Sequence, residues 1–161
     1  MKILIDGDSC NAIKLIEKVA KVNLVPCHIY TDIGHEIHSD YSEVHIVDKG
    51  RDSADFAIVN ACQPGDIVIT NDGGLASMAK AKQALIMSPF GFQFTDKVIS
   101  TMLQRRYMHA RVSRTSKHNR NHKAIGYNNN IKREHTGELL QRLINESAKK
   151  FNSSKKPNKK G

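Results

Sequence analysis

Two runs of three aliphatic residues, Ile3-Leu4-Ile5 and Ile67-Val68-Ile69, constrain the fold of this chain more than any other feature. Neither run alternates apolar with polar residues, and this is the pattern of strands buried on both faces of a parallel sheet. Between the runs, apolar residues at three- and four-residue spacing predict amphipathic helices, as at Ile13, Ile16 and Val19. Strands that alternate with helices predict an α/β fold with a mainly parallel sheet and right-handed crossovers.

The other predicted elements continue this alternation. Further strands are predicted at Leu24 to Tyr30, Val44 to Val47 and Ala84 to Met87. Further helices are predicted after Asp52, from Leu75 to Lys82, after Thr95, and around Leu139 to Ile144. The predicted domain organisation is an α/β domain over 1–110, a basic flexible linker over 111–135, a C-terminal helix over 136–150, and a disordered Lys-rich tail over 151–161.

The length of 161 residues fits one globular domain with its own core. The N-terminal apolar stretch ends after three residues, at Asp6, whereas a membrane span needs about 20 apolar residues. We therefore expect a cytoplasmic protein with no membrane partner.

The three cysteines, Cys10, Cys27 and Cys62, are an odd number without Cys-x-x-Cys spacing. They predict neither a disulfide framework nor a zinc site.

The net charge of +9 is unevenly distributed along the chain. Residues 1–100 hold 9 Lys and Arg against 13 Asp and Glu, whereas residues 101–161 hold 16 against 3. Clustered Lys and Arg displace counterions from a phosphate backbone, so this asymmetry favours a polyanionic partner such as a nucleic acid. The alternative is a basic tail that only increases solubility.

Acidic residues follow the predicted strands. Asp6 and Asp8 come after the first strand and Asp72 after the fourth, so all three are expected at the carboxyl ends of the strands, where α/β sheets bind ligands. Asp52 and Asp55 lie three residues apart at a helix start and are expected to reach the same crevice. The alternative is structural: Asp8 caps a helix, and Asp52 and Asp55 complement a helix dipole. For Asp66, in a turn before a strand, we favour the structural role.

Converging carboxylates repel one another unless a cation neutralises them, and oxygen-only ligands favour Mg²⁺ or Mn²⁺. The predicted ligands are Asp6, Asp8, Asp55 and Asp72, and the same four with Asp52 form the predicted catalytic set. The reaction class is metal-assisted hydrolysis of a phosphodiester. Residues predicted to orient water or bind the substrate backbone are Thr70, Asn71, Arg105, Arg106, Arg111 and Arg114.

Three ordered motifs resemble the YaiI/YqxD family: Ile-Asp-Gly-Asp-Ser-Cys at 5–10, Gly-Arg-Asp-Ser-Ala-Asp at 50–55 and Gly-Asp-Ile-Val-Ile-Thr-Asn-Asp at 65–72. The resemblance covers residues 1–108, including Ser-Pro-Phe-Gly-Phe-Gln-Phe-Thr at 88–95. Asn11 stands where the family usually has proline, and residues 113–130 lack the expected Gly-Pro pattern. Because that family is related to PIN domains, the resemblance implies a PIN-like three-layer α/β/α sandwich and a Mg²⁺- or Mn²⁺-dependent ribonuclease.

Two other functions compete with this one. The segment Asp6-Gly7-Asp8-Ser9 also looks like the nucleophile motif of haloacid-dehalogenase phosphohydrolases, in which Asp6 would attack phosphorus and Asp8 would act as acid and base. A module that binds nucleic acid through its basic C-terminal part, without turnover, is the third possibility, because acids that hold a metal need not achieve catalytic geometry.

Overall fold

The computed structural model describes residues 1–48, 50, 52–115 and 132–153. In chain order the elements are β1 (Ile3–Asp6), α1 (Ile13–Val22), β2 (Cys27–Asp32), β3 (Glu43–Val47), α2 (Ser53–Ala61), β4 (Ile67–Ile69), α3 (Gly73–Ala81), β5 (Leu85–Ser88), β6 (Phe92–Gln93), α4 (Asp96–Thr115) and α5 (Thr136–Ser153). A short 3₁₀ turn, Gly7–Ser9, follows β1.

The six strands form one sheet in the order β3-β2-β1-β4-β5-β6. The first five are parallel, and β6 pairs antiparallel with β5 at the edge. This confirms the mainly parallel sheet predicted from the apolar runs. The chain builds outward from β1 to β3 and then returns to place β4 on the other side of β1, so the strand order reverses between β1 and β4. Ligands of open α/β sheets bind at this switch point.

Helices cover both faces of the sheet and give the predicted three-layer α/β/α sandwich. On one face, Ile3 and Ile5 of β1 pack with residues of α1 and α5. On the other face, Leu4 packs with residues of α2, α3 and α4. Successive strand residues point to opposite faces, and all three of these side chains are buried, which is why the first three residues of β1 are all apolar.

Helix α5 is part of this core. Its apolar stripe, made of Leu139, Leu140, Leu143 and Ile144, is buried beside α1, and the Ser147 hydroxyl donates to the Gly65 carbonyl at 2.6 Å. An amphipathic helix needs an apolar surface to cover, and the sheet provides one.

Helix α4 continues to Thr115, so residues 111–115 of the predicted linker are helical. Residues 116–131 and 154–161 lie outside the described residues, and the predicted flexibility and disorder there stay predictions. None of the helices in the described ranges is both long and apolar enough to cross a membrane.

The sequence did not predict β6. This two-residue strand returns along β5 after a turn in which Gly91 has φ +81°, a backbone conformation that favours glycine. The buried rings of Phe92 and Phe94 cover part of the α2–α3 face of the sheet. Two residues are too few to show an alternating pattern, so no sequence signal distinguished this strand from a loop.

Asp66 has the structural role favoured from the sequence, although it does more than begin a strand. Its carboxylate is 3% exposed and accepts hydrogen bonds from the backbone N–H of Lys2 (2.9 Å), the Lys2 ammonium (2.7 Å) and the backbone N–H of Gln63 (2.9 Å). Lys2 precedes β1 and Asp66 precedes β4. The ion pair therefore fastens the amino ends of the two central strands.

We expect Asp66→Ala to lower the free energy of unfolding by about 3 kcal/mol, because buried donors lose their acceptor. Urea denaturation at neutral pH measures this loss. The matched control is Asp96→Ala, whose carboxylate is 87% exposed in its pair with Lys80 and whose removal is expected to change stability by less than about 0.5 kcal/mol. Equal effects of the two substitutions would contradict the assigned role of Asp66.

Candidate active site

Asp6 lies at the carboxyl end of β1 with only 6% of its surface exposed. Its Oδ2 atom accepts hydrogen bonds from the Ser9 hydroxyl at 2.7 Å and the Thr70 hydroxyl at 2.8 Å. Among the described residues, none donates a hydrogen bond to Asp6 Oδ1. One oxygen therefore fixes the orientation of the carboxylate, and the second remains available to a ligand.

Thr70 connects the ends of β1 and β4. Its hydroxyl donates to Asp6 and at the same time accepts from the backbone N–H of Asp72 at 3.0 Å. Thr70 is fully buried, so this hydrogen-bonded bridge is shielded from water. The sequence predicted Thr70 as a substrate-binding residue, whereas these contacts make it a residue that positions two of the predicted acids.

Asp72 caps helix α3. Its Oδ1 accepts from the backbone N–H groups of Gly74 at 2.6 Å and Leu75 at 2.9 Å, which is the usual contact of an N-cap carboxylate. Its Oδ2 lies 3.7 Å from Nη1 of Arg106 on α4. One carboxylate oxygen thus has a structural role and the other faces a cationic side chain.

Asp55, in the first turn of α2, is the acid most affected by its neighbours. The pKa of its carboxyl is raised to about 6, first by burial and then by the negative charge of Asp6. Asp72 and Asp52 raise the Asp55 pKa further, and the positive charge of Arg106 lowers it. These effects fall off with distance, so the four carboxylates and Arg106 share one crevice.

Asp52 contributes from the rim of this crevice. It is exposed and precedes α2 in a left-handed conformation (φ 62°, ψ 14°), with no side-chain hydrogen bond that caps the helix. Aspartate tolerates this region better than most residues, although the conformation still costs free energy. The structural alternative, in which Asp52 complements the dipole of α2, is consistent with its position before the first turn of that helix.

Asp8 points away from Asp6. Its Oδ1 accepts from the Thr31 hydroxyl at 2.8 Å and lies 3.3 Å from Nδ1 of His35, which also contacts Asp32 at 2.9 Å. Asp8 is not among the groups that shift the pKa of Asp55. It does not cap α1 either, because that helix begins at Ile13 after Ala12. The structure therefore groups Asp8 with Asp32 and His35 at the end of β2. The sequence indicated His35 only as a weak metal candidate paired with His38, and it did not indicate Asp32.

The structure brings only some of the residues predicted to bind substrate to the crevice. Arg106 faces it, as described above, and Arg105 lies beside Arg106 on α4 with a less exposed side chain. The side chains of Arg111 and Arg114 lie outside the described part of the chain. The Asn71 amide oxygen accepts from the Ser88 hydroxyl at 2.7 Å, which holds Asn71 against β5. Ser9 was missed as a site residue, because a serine after a strand is common at turns.

The carboxylate oxygens are the donors that a hard divalent cation prefers, but Asp6, Asp55 and Asp72 lie too far apart for all three to bind one ion directly. Within the described ranges, the groups of three possible ligand atoms lying within 4.8 Å of one another are Asp8, Asp32 and His35, and His28, Glu43 and His45. Asp6, Asp55 and Asp72 do not approach one another as closely. Mg²⁺ is commonly bound by one or two carboxylates with water completing its shell, and such a loose set of carboxylates suits it.

We expect Asp55→Asn to stabilise the metal-free protein at pH 7 by about 1 to 2 kcal/mol. The folded-state pKa of Asp55 lies above its unfolded value, so its contribution favours folding at low pH and is lost as pH rises from about 4 through 6. Urea denaturation in EDTA at pH 4 and pH 7 measures the difference between variant and wild type. The matched control is Asp96→Asn, which changes an exposed carboxylate. If Asp55→Asn had the same stability as the wild type at pH 7, the repulsion of Asp55 by the neighbouring carboxylates would be contradicted.

Comparison with known proteins places the chain in a family. The profile described as "Uncharacterized BCR, YaiI/YqxD family" matches residues 4–146. A UPF0178 protein of Natranaerobius thermophilus is 45% identical over 70% of this chain and 76% of its own length, and one of Clostridium novyi is 37% identical over 94% of this chain and 100% of its own length. No solved structure matches the chain. The match over most of the chain, together with these relatives, shows that the protein belongs to the YaiI/YqxD family.

Proposed function

We propose that this protein is a divalent-metal-dependent nuclease that hydrolyses phosphodiester bonds of RNA in the crevice between β1 and β4. The observation that supports this most directly is the convergence of Asp6, Asp55 and Asp72 at the strand-order reversal, because the helix-capping role of Asp72 does not explain the other two carboxylates. The PIN relationship implied by the sequence motifs points to the same chemistry.

Asp6, Asp55 and Asp72 are the residues that would hold Mg²⁺ or Mn²⁺. Such an ion, when bound, supplies the positive charge that ionises an attacking water and stabilises the leaving oxygen of a phosphodiester. The protein prepares these ligands in advance: Ser9 and Thr70 fix the Asp6 carboxylate, and the first turn of α3 fixes Asp72. Pre-oriented ligands lose less conformational entropy when they bind a ligand.

Arg106 supports an anionic substrate at this place. Its guanidinium is 3.7 Å from Asp72, so a phosphate bound in the crevice would meet a bidentate donor at the same position as the acids. Residues 101–161, which include Arg106, carry 16 of the 25 Lys and Arg residues of the chain. Arg106 would contact the phosphate nearest the reaction, and the remaining cations would add affinity that does not depend on base sequence.

The test is cleavage of a labelled single-stranded RNA with Mn²⁺ or Mg²⁺, and with EDTA. We expect chelator-sensitive cleavage by the wild type and a loss of more than about a hundredfold in Asp6→Asn and Asp72→Asn, because each removes the charge of a carboxylate that would hold the metal. Asp96→Asn, which changes a carboxylate on the exposed start of α4, is the matched control and keeps full activity.

The same assay separates the competing functions. Release of phosphate from para-nitrophenyl phosphate without RNA cleavage would contradict the nuclease and favour a phosphohydrolase. Binding of RNA without cleavage, with any of the divalent ions, would favour the non-catalytic module. A further arm with single-stranded DNA of the same sequence tests the choice of RNA as substrate.

A further inference from the structure

A second group of potential metal ligands, distinct from the acids of the crevice, lies on strands β2 and β3. Nδ1 of His28 lies 3.0 Å from Nε2 of His45 and 3.4 Å from Oε2 of Glu43. Nε2 of His45 lies 3.7 Å from Oε1 of Glu43. Two imidazole nitrogens and one carboxylate therefore meet at a single point on the surface of the sheet.

The register of the two strands explains this meeting. His28 and Glu43 are directly paired across β2 and β3, and His45, two residues after Glu43, points to the same face of the sheet. The His45 ring stacks on the ring of Tyr30 with centroids 4.6 Å apart and planes 12° from parallel. Tyr30 is buried, so the ring that would carry one ligand atom is held in place by the core.

The group is separate from the proposed nuclease site. Asp6 pairs with Tyr30 at the carboxyl ends of β1 and β2, whereas His28 pairs with Leu4 nearer the amino ends. Glu43 is the first residue of β3. The charged groups near His28 on that side are Lys2 and Asp66, which are already paired with each other.

The distances and atom types suit a transition metal better than Mg²⁺. In a tetrahedral zinc site with bonds of about 2.05 Å, neighbouring ligand atoms lie about 3.3 Å apart. The two imidazole nitrogens are 3.0 Å apart, and they lie 3.4 and 3.7 Å from different oxygens of Glu43, so all three separations are close to this value. Rotation of the exposed Glu43 carboxylate would present one oxygen to both nitrogens. Two histidines with one carboxylate form a nitrogen-rich set that Zn²⁺ prefers and that Mg²⁺ avoids.

We propose that His28, Glu43 and His45 form a Zn²⁺ site. The side chains of His28 and His45 are 22% and 31% exposed and that of Glu43 is 67% exposed. Solvent therefore reaches the ligand atoms, and the fourth coordination position of the ion would be open to water. The ion would join β2 to β3, the edge strand that pairs with β2 alone among the strands of the described residues. The site is independent of the proposed nuclease activity.

The competing explanation is a simple hydrogen bond. One proton shared between the two imidazole nitrogens would also hold His28 and His45 at 3.0 Å, with Glu43 as a nearby anion. This arrangement requires no ion and predicts no saturable uptake of zinc. The two explanations therefore differ in the number of zinc ions that the folded protein binds.

Calorimetric titration of the full-length protein with Zn²⁺, combined with thermal unfolding, tests the proposal. Glu43→Gln and the double variant His28→Gln/His45→Gln are expected to bind one zinc fewer than the wild type, or to bind it more than about tenfold more weakly. They are also expected to lose the part of the zinc-induced increase in melting temperature that this site provides. Glu43 is exposed enough that its substitution leaves the fold intact, so this variant remains informative if the double variant is unstable.

Two control variants make the result specific. His38→Gln removes an exposed histidine that also lies beside a carboxylate, Glu36, and His35→Gln disrupts the group of Asp8 and Asp32. Both are expected to retain the zinc ion lost in Glu43→Gln. Absence of saturable zinc binding by the wild type, or equal stoichiometry and affinity in wild type and Glu43→Gln, would overturn the proposal.

Discussion

The Thr70 hydroxyl donates to the Asp6 carboxylate and accepts from the backbone N–H of Asp72, and in this way it holds the ends of β1 and β4 at a fixed separation. These are the strands between which the sheet reverses its order, so their connections leave in different directions and open a crevice. The fold supplies the crevice, and the buried bridge through Thr70 determines where the acids stand inside it. The Lys2–Asp66 pair fastens the same two strands at their opposite ends.

Several carboxylates lie in this crevice, and the positive charge near them neutralises only part of their negative charge. Asp6, Asp52 and Asp72 each raise the pKa of Asp55, and Arg106 is the one cation that opposes them among the groups affecting it. Such repulsion lowers the stability of the folded state at neutral pH. A site that sacrifices stability in this way is typical of a functional site, and a bound divalent cation would relieve the repulsion.

Much of the fold could be predicted because the first three residues of β1 and all of β4 are apolar and the helices between the strands keep regular spacing. The short strand β6 has too few residues to show an alternating pattern. The apolar stripe of α5 predicts a helix but does not indicate which surface of the protein that helix covers. Asp6 ends β1 and Asp72 follows β4 by three residues, so their meeting at the carboxyl ends of the strands was predictable. The direction of Asp8 depends on the 3₁₀ turn after β1, and the group of His28, Glu43 and His45 depends on strand register. Neither can be read from residue spacing.

The central claim is that Asp6 and Asp72 repel the Asp55 carboxylate across one crevice and that a bound cation relieves this repulsion. The most direct test is the titration of the Asp55 side-chain carboxyl carbon by NMR, with and without Mg²⁺. The account predicts a pKa of about 6 in the absence of metal and a clearly lower pKa when Mg²⁺ is present, because a bound cation favours the ionised form. An Asp55 pKa near the ordinary value of about 4 in both conditions would contradict the claim.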